Sequence, residues 1–204
     1  KYSAAFEMYN RLSDRYNTSN TEIFISNMYR FSNKLSISLT NYLEIHNRNY
    51  GFAALRDNGD SVIMSLRKIR TAENVLNTKY SFSNKLWLTL RIRHYWSKVD
   101  YYSYKYLLPD GHAQDIPDLA QEPDINLNLF NVDMNFTWQF GPGSFINFTW
   151  KTASDDFDQQ VMERYFRNLS KAVEAPTANS LSLKVIYFLD YLTLKKKKPV
   201  TEMK

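Results

Sequence analysis

Charged side chains that alternate with apolar ones are the residues of this chain with the clearest chemical potential. Each has the opposite parity to the large apolar residues beside it, so we expect them to share the wet surface of a β-sheet. Arginine and lysine bind carboxylates and phosphates through charge-assisted hydrogen bonds. The set therefore fits either a structural ion network inside a narrow barrel or a polar conduit whose arginines select anions. Its members are Arg11, Arg30, Glu44, Arg91, Arg93, Asp133, Lys184 and Asp190.

Other kinds of site are not indicated by the residue spacing. His46, His94 and His112 stand apart, without neighbouring ligands at metal-binding spacing, so the sequence predicts no metal site and no cofactor. His94 shares the parity of Leu90 and Ile92, so we expect it to face outward. Nothing marks a nucleophile, so no catalytic residue is predicted, and a hydrolase at the outer rim is the alternative.

The strand that must position Asp133 is the clearest element of the sequence. Every second residue of the segment 130–140 is large and apolar, which is the period of a strand with one apolar face. Its eleven residues, at about 3.3 Å each and tilted by about 40°, give about 25 Å of height, which matches the apolar band of an outer-membrane barrel. We therefore expect a set of side chains to face lipid, namely Val132, Met134, Phe136, Leu183, Val185 and Leu189.

Eight segments have this strand character. Short connections alternate with long ones at 48–60, 109–124 and 153–178, so short turns would lie at one end and long loops at the other. The sequence thus predicts an all-β protein: an antiparallel, up-and-down transmembrane β-barrel of about eight strands over residues 1–194. The predicted strands are 2–15, 21–31, 35–47, 62–82, 86–107, 125–140, 145–152 and 181–192, and the parity of the sixth is shifted before residue 130.

Three further features refine this prediction. Blurred parity at 67–72 predicts a β-bulge or a bend in the fourth strand. Apolar residues at helical spacing predict a short helix at 157–172 in an outer loop. Aromatic residues just before the short turns predict an inner girdle at the membrane interface; they are Tyr29, Phe31, Tyr80, Phe82, Trp138 and Phe140.

Composition excludes several classes of protein. No apolar run approaches the length of a transmembrane helix. The net charge is +5, but the charges alternate along strands rather than cluster, so no nucleic-acid partner is predicted. The one dense basic run opens a C-terminal tail at 195–204, and the chain has no cysteine.

Several separated motifs resemble one known family. They are R-H-Y-W at 93–96, F-N-V-D at 130–133, W-Q-F-G-P-G-S at 138–144, N-S-L-S-L-K at 179–184 and Y-F-L-D-Y at 187–191. Together they resemble the C-terminal barrel region, a domain of unknown function, of Bacteroidota envelope proteins in which a module similar to family-9 carbohydrate-binding domains comes first. That module is not in this sequence. The resemblance implies a bacterial outer-membrane location and brings no known reaction or catalytic residue.

Two functional classes follow from these expectations. The first is a barrel for solute passage or envelope transport, of which this chain would be the C-terminal part. The second is a non-conducting structural or assembly subunit that binds other outer-membrane proteins through its wall and outer loops. In both, membrane lipid is a partner. A soluble lipid-binding barrel, with the apolar face inside, is a third interpretation that the aromatic girdle disfavours.

Overall fold

The computed structural model of the chain describes residues 1–117, 124–159 and 164–189. Within these ranges the chain forms one antiparallel sheet and one α-helix, α1, at Tyr165–Glu174. No helix in the described part of the chain is long and apolar enough to cross a membrane. The strands are β1 Tyr2–Ser13, β2 Thr18–Arg30, β3 Leu35–Arg56, β4 Ser61–Ser83, β5 Leu86–Leu107, β6 Ala113–Ile116, β7 Ile125–Gly141, β8 Ser144–Asp158 and β9 Thr177–Ile186.

The strands are ordered as they occur along the chain, apart from the short β6, which pairs with the last residues of β5. Short turns such as Pro142-Gly143, where Gly143 has φ +69°, join strands at one margin, called here the turn end. The longer connections lie at the opposite margin, the loop end. The all-β, antiparallel prediction is confirmed. Closure into a barrel stays a prediction, because β1 and β9 are the two edges of the described sheet.

Strand boundaries at the turn end match the sequence prediction closely, whereas those at the loop end do not. The predicted loop at 48–60 is mostly strand, since β3 continues to Arg56. Two register shifts interrupt its pairing with β4, between His46 and Asn49 and between Phe52 and Ala54. These irregularities break the alternation by which a strand is recognised, so the extension of β3 was missed. The bulge predicted in β4 at 67–72 is found instead in β5: between Leu66 and Arg67 the pairing skips Tyr102, so β5 carries the extra residue.

The other differences also fall at the loop end. β6 lies inside the predicted loop 109–124, and β8 continues to Asp158. The predicted helix begins later and ends later than expected: Phe157 belongs to β8, and α1 covers Tyr165–Glu174. The predicted eighth strand is β9, which begins at Thr177 and ends at Ile186. Residues 190–192 of that prediction and the tail 195–204 lie outside the described residues.

Candidate functional site: the two faces of the sheet

One face of the sheet, called here the apolar face, carries the large apolar side chains of successive strands. The register joins Leu35 of β3, Tyr80 of β4, Leu88 of β5, Phe136 of β7, Phe148 of β8 and Leu183 of β9 in one row. Directly opposed residues of an antiparallel pair point to the same side. Val132, Met134, Phe136, Leu183 and Val185 therefore share this face, while Leu189 follows the end of β9.

Much of the apolar face is open. Phe6 of β1 is 65% exposed and Leu183 of β9 is 67% exposed. The chain presents 14536 Å² of accessible surface for a mass of 24.1 kDa, whereas a compact soluble protein of that mass presents about 10,000 Å². Soluble monomers rarely expose apolar patches above a few hundred Å². A single-layer sheet with one such face therefore needs an apolar environment to cover it.

The six aromatic residues predicted as a girdle lie together at the turn end of the apolar face. They form ring pairs within each strand end: Tyr29 with Phe31 at 4.5 Å between centroids, Tyr80 with Phe82 at 4.7 Å, and Trp138 with Phe140 at 6.0 Å. Tyr187, after β9, stacks on Phe140 at 6.2 Å. The apolar face is thus bordered at this margin by a row of aromatic side chains.

The opposite face, called here the polar face, is concave. One cavity of about 430 Å³ is lined by side chains from six neighbouring strands, and the strand register places one residue of each in a single row. These residues are Met28, Ser38, Asn77, Arg91, Asp133 and Lys151. A single cavity bordered by side chains from six neighbouring strands indicates that the sheet curls toward this face. The apolar face is therefore the convex one.

The predicted charged set lies on this polar face, but only part of it is brought into contact. Arg93 donates to both carboxylate oxygens of Glu73, at 2.8 and 3.2 Å. Asp133 lies opposite Arg91 in register and 3.9 Å from the Lys151 ammonium. Arg11, Arg30, Glu44 and Lys184 are on the same face in other strands, and Asp190 lies outside the described residues. The predicted charged set did not include Glu73, the partner of Arg93, or Lys151, the neighbour of Asp133. Both nevertheless have the same parity along their strands as the members of that set.

A buried polar cluster under α1 was also missed by sequence reasoning. It lies on the apolar face at the loop end, where polar side chains replace the large apolar ones. The Asn168 side chain of α1 is fully buried and accepts hydrogen bonds from Asn126 and Asn128 of β7, at 3.2 and 2.9 Å. Asn126 and Met134 share one face because β7 pairs with β5 without a register break. The parity shift predicted before residue 130 is therefore not a change in strand register. Polar residues occupy the apolar face there because the polar side of α1 covers it.

His94 lies at the border between this polar cluster and the apolar residues. It is on the apolar face, as predicted, but it is only 3% exposed because Tyr165 of α1 covers it. The Tyr165 hydroxyl accepts a hydrogen bond from Asn74 at 2.7 Å and lies 3.0 Å from His94 Nδ1. Burial raises the pKa of the Tyr165 hydroxyl, which a tyrosine already keeps protonated at neutral pH. No group of three or more potential metal ligands occurs among the described residues.

The fold and its two faces define the class of this protein: an all-β, antiparallel sheet with an exposed apolar convex side and a charged concave side. The chain belongs to the family described as a domain of unknown function, DUF5916, whose match covers residues 1–198. No curated protein and no solved structure matches the chain.

Proposed function

We propose that the chain forms part of the wall of a β-barrel in a bacterial outer membrane, in an envelope of the Bacteroidota type, and that its polar face borders a path for solutes. The observation that carries this proposal is the exposed apolar face opposite a charged concave face. That is the arrangement by which membrane barrels place apolar residues against lipid and polar ones toward the lumen. The aromatic row at the turn end fits the interfacial girdle of such barrels.

A larger barrel than the described sheet is part of this proposal. Eight strands that close on themselves leave an interior filled by side chains, without an aqueous path. In the described sheet, β1 and β9 are edges, and every residue of β9 is exposed. Further strands between these edges would widen the lumen and cover the edge hydrogen-bonding groups.

The charges around the cavity suggest the class of solute. Its described lining contains Lys79, Arg91 and Lys151 against Asp133, an excess of positive charge. We therefore expect a preference for anions, because rings of arginine and lysine lower the barrier for anions in a pore.

Planar bilayers test conduction and selectivity together. The native protein should conduct, with a reversal potential in a salt gradient that indicates anion preference. Arg91→Gln should shift that potential toward cation preference, while Arg164→Gln, which removes the same charge beside α1 and away from the polar face, should not. Channels with no ion preference in the native protein would contradict the anion path, and absence of conduction would contradict solute passage.

A non-conducting structural subunit is the second candidate. The observation that favours it is the pair of sheet edges, since exposed edges accept strands from partner proteins. This candidate predicts no conductance and co-purification of the protein with defined outer-membrane partners.

A further inference from the structure

We propose that helix α1 is an interfacial element that lies along the outer border of the membrane, with one side in contact with lipid. This inference rests on the proposed membrane location of the apolar face. It goes further by assigning a lipid-binding surface to a helix in the connection between β8 and β9.

The first step is the position of α1 on the sheet. Tyr165 contacts Asn74 of β4 and His94 of β5, Asn168 contacts β7, and the Ala172 carbonyl accepts a hydrogen bond from Ser154 of β8. The helix therefore runs across successive strands on the convex side, with its axis crossing the strands rather than parallel to them. The large apolar residues of the apolar face begin beside the helix, on its turn-end side. Leu76, Ile92 and Val132 lie in the row that is one step closer to the turn end than His94.

The second step is the direction of each side of the helix. Lys171 points toward the loop end, because its ammonium lies 3.2 Å from Asp158, the last residue of β8. At about 100° per residue, Phe166, Leu169 and Val173 lie about 140–160° around the helix from Lys171. These apolar side chains therefore point toward the turn end, which is the direction of the apolar face.

The third step is exposure. Phe166 is 81% exposed and Val173 is 50% exposed, although both belong to the side nearest the apolar residues of the sheet. The sheet-facing side of α1 instead carries Tyr165 and Asn168, whose polar groups bond to the sheet, together with the small Ala172. The apolar stripe is left open at Phe166 and Val173, while Leu169 is half-buried, so packing on the sheet does not explain the stripe.

A membrane surface matches this open stripe. Interfacial helices place an apolar side at the boundary between headgroups and acyl chains and carry basic residues on the polar side. Arg167 and Lys171 supply such charges on α1, and anionic lipid headgroups attract them. The apolar stripe of α1 is continuous with the apolar face of the sheet, which is proposed to face lipid. This continuity favours lipid over a partner protein as the occupant of the stripe.

Site-directed spin labelling tests this inference well, because the chain has no cysteine and each introduced label is unique. The full chain would be folded into phosphatidylcholine vesicles containing phosphatidylglycerol. Labels would be placed at Phe166→Cys and Val173→Cys on the apolar stripe. The matched controls are the adjacent positions Arg167→Cys and Glu174→Cys, about 100° further around the helix. A label at Met134→Cys reports separately on the apolar face.

The measurement is the accessibility of each label to oxygen, which concentrates in lipid, relative to a water-soluble nickel complex. We expect that ratio to be several-fold higher at Phe166→Cys and Val173→Cys than at their controls, and highest at Met134→Cys. A nickel-accessible label at Phe166→Cys with a lipid-exposed Met134→Cys overturns the interfacial helix and leaves the membrane wall standing. A label at Phe166→Cys shielded from both reagents indicates a protein partner and also overturns it. A water-exposed Met134→Cys overturns the proposed membrane location itself.

Discussion

At the scale of single residues, Met134 and Asn135 provide the sharpest comparison on the sheet. They are neighbours in β7 but lie on opposite faces, Met134 opposite Leu90 and Asn135 opposite Thr89. An arginine that faces lipid near the bilayer midplane costs about 2–4 kcal/mol of folding free energy. We expect Met134→Arg to cost that much in lipid vesicles and Asn135→Arg to cost much less, because the latter side chain reaches water. Equal costs in a denaturant titration would show that the two faces do not differ in environment.

Asn168 is the residue on which docking of α1 depends most directly. Asn168→Ala leaves the buried amides of Asn126 and Asn128 without their partner on the helix. An unsatisfied buried polar group costs about 1–3 kcal/mol, which outweighs the better helix propensity of alanine. We expect faster hydrogen exchange in α1, measured by mass spectrometry on the protein in detergent micelles.

Ser170 is the matched control, because it lies on the exposed side of the same helix. Its hydroxyl donates only to Glu174 at the surface. Ser170→Ala should leave exchange in α1 close to that of the native protein. Unchanged exchange in Asn168→Ala would mean that the amide cluster does not hold the helix.

At the scale of elements, the irregular end of β3 depends on a glycine and an arginine together. A Cβ atom on Gly51 would overlap the Arg67 guanidinium, so the guanidinium keeps its position only because Gly51 has no side chain. Arg67 donates there to the Asn49 side chain at 2.6 Å and to the Phe52 carbonyl at 3.0 Å, and so joins β4 to both register shifts of β3.

A double-mutant cycle tests this pairing. We expect Gly51→Ala to destabilise the protein by roughly 1–2 kcal/mol, since it displaces the guanidinium from its acceptors. In an Arg67→Ala background the same change should be neutral or stabilising, because alanine then replaces glycine in a strand without a clash. The measurement is the unfolding free energy of the four proteins in micelles. The same cost in both backgrounds would show that the two residues act independently.

The elements also show which parts of the fold a single sequence can predict. The turn-end halves of the strands were predictable because large apolar and polar side chains alternate there, as in residues 130–140 of β7. The loop-end half of β7 was not, since Asn126 and Asn128 occupy the apolar face and are compensated by Asn168, about 40 positions away in sequence. Likewise, the parity of Arg93 and Asp133 predicted their face, but their partners Glu73 and Lys151 depend on strand register. Register and long-range compensation are tertiary properties that local periodicity does not encode.

At the scale of the whole molecule, the number of strands in the proposed barrel decides between a filled interior and a solute path. We propose that further strands separate β1 from β9, and this is testable because the chain lacks cysteine. One cysteine would be fixed at Ser182 of β9 and a second placed in turn at every polar-face position of β1, because closure of a barrel staggers its first and last strands; these positions are Ser3, Ala5, Glu7, Tyr9 and Arg11. Directly paired strands bring such residues to about 4.5–5.5 Å between Cβ atoms, close enough for a disulfide.

The expected outcome is that oxidation of the native protein in membranes forms no intramolecular disulfide at any of these positions. The reference is a cysteine pair at Asn135 and Thr149, which lie directly opposite each other in β7 and β8 and should cross-link readily. Mobility on non-reducing gels distinguishes the products. If one β1 position cross-linked to Ser182 as efficiently as the reference, the eight long strands would close directly on one another. The interior would then be filled by the polar face itself, and the structural subunit would replace the solute path as the better account of the protein.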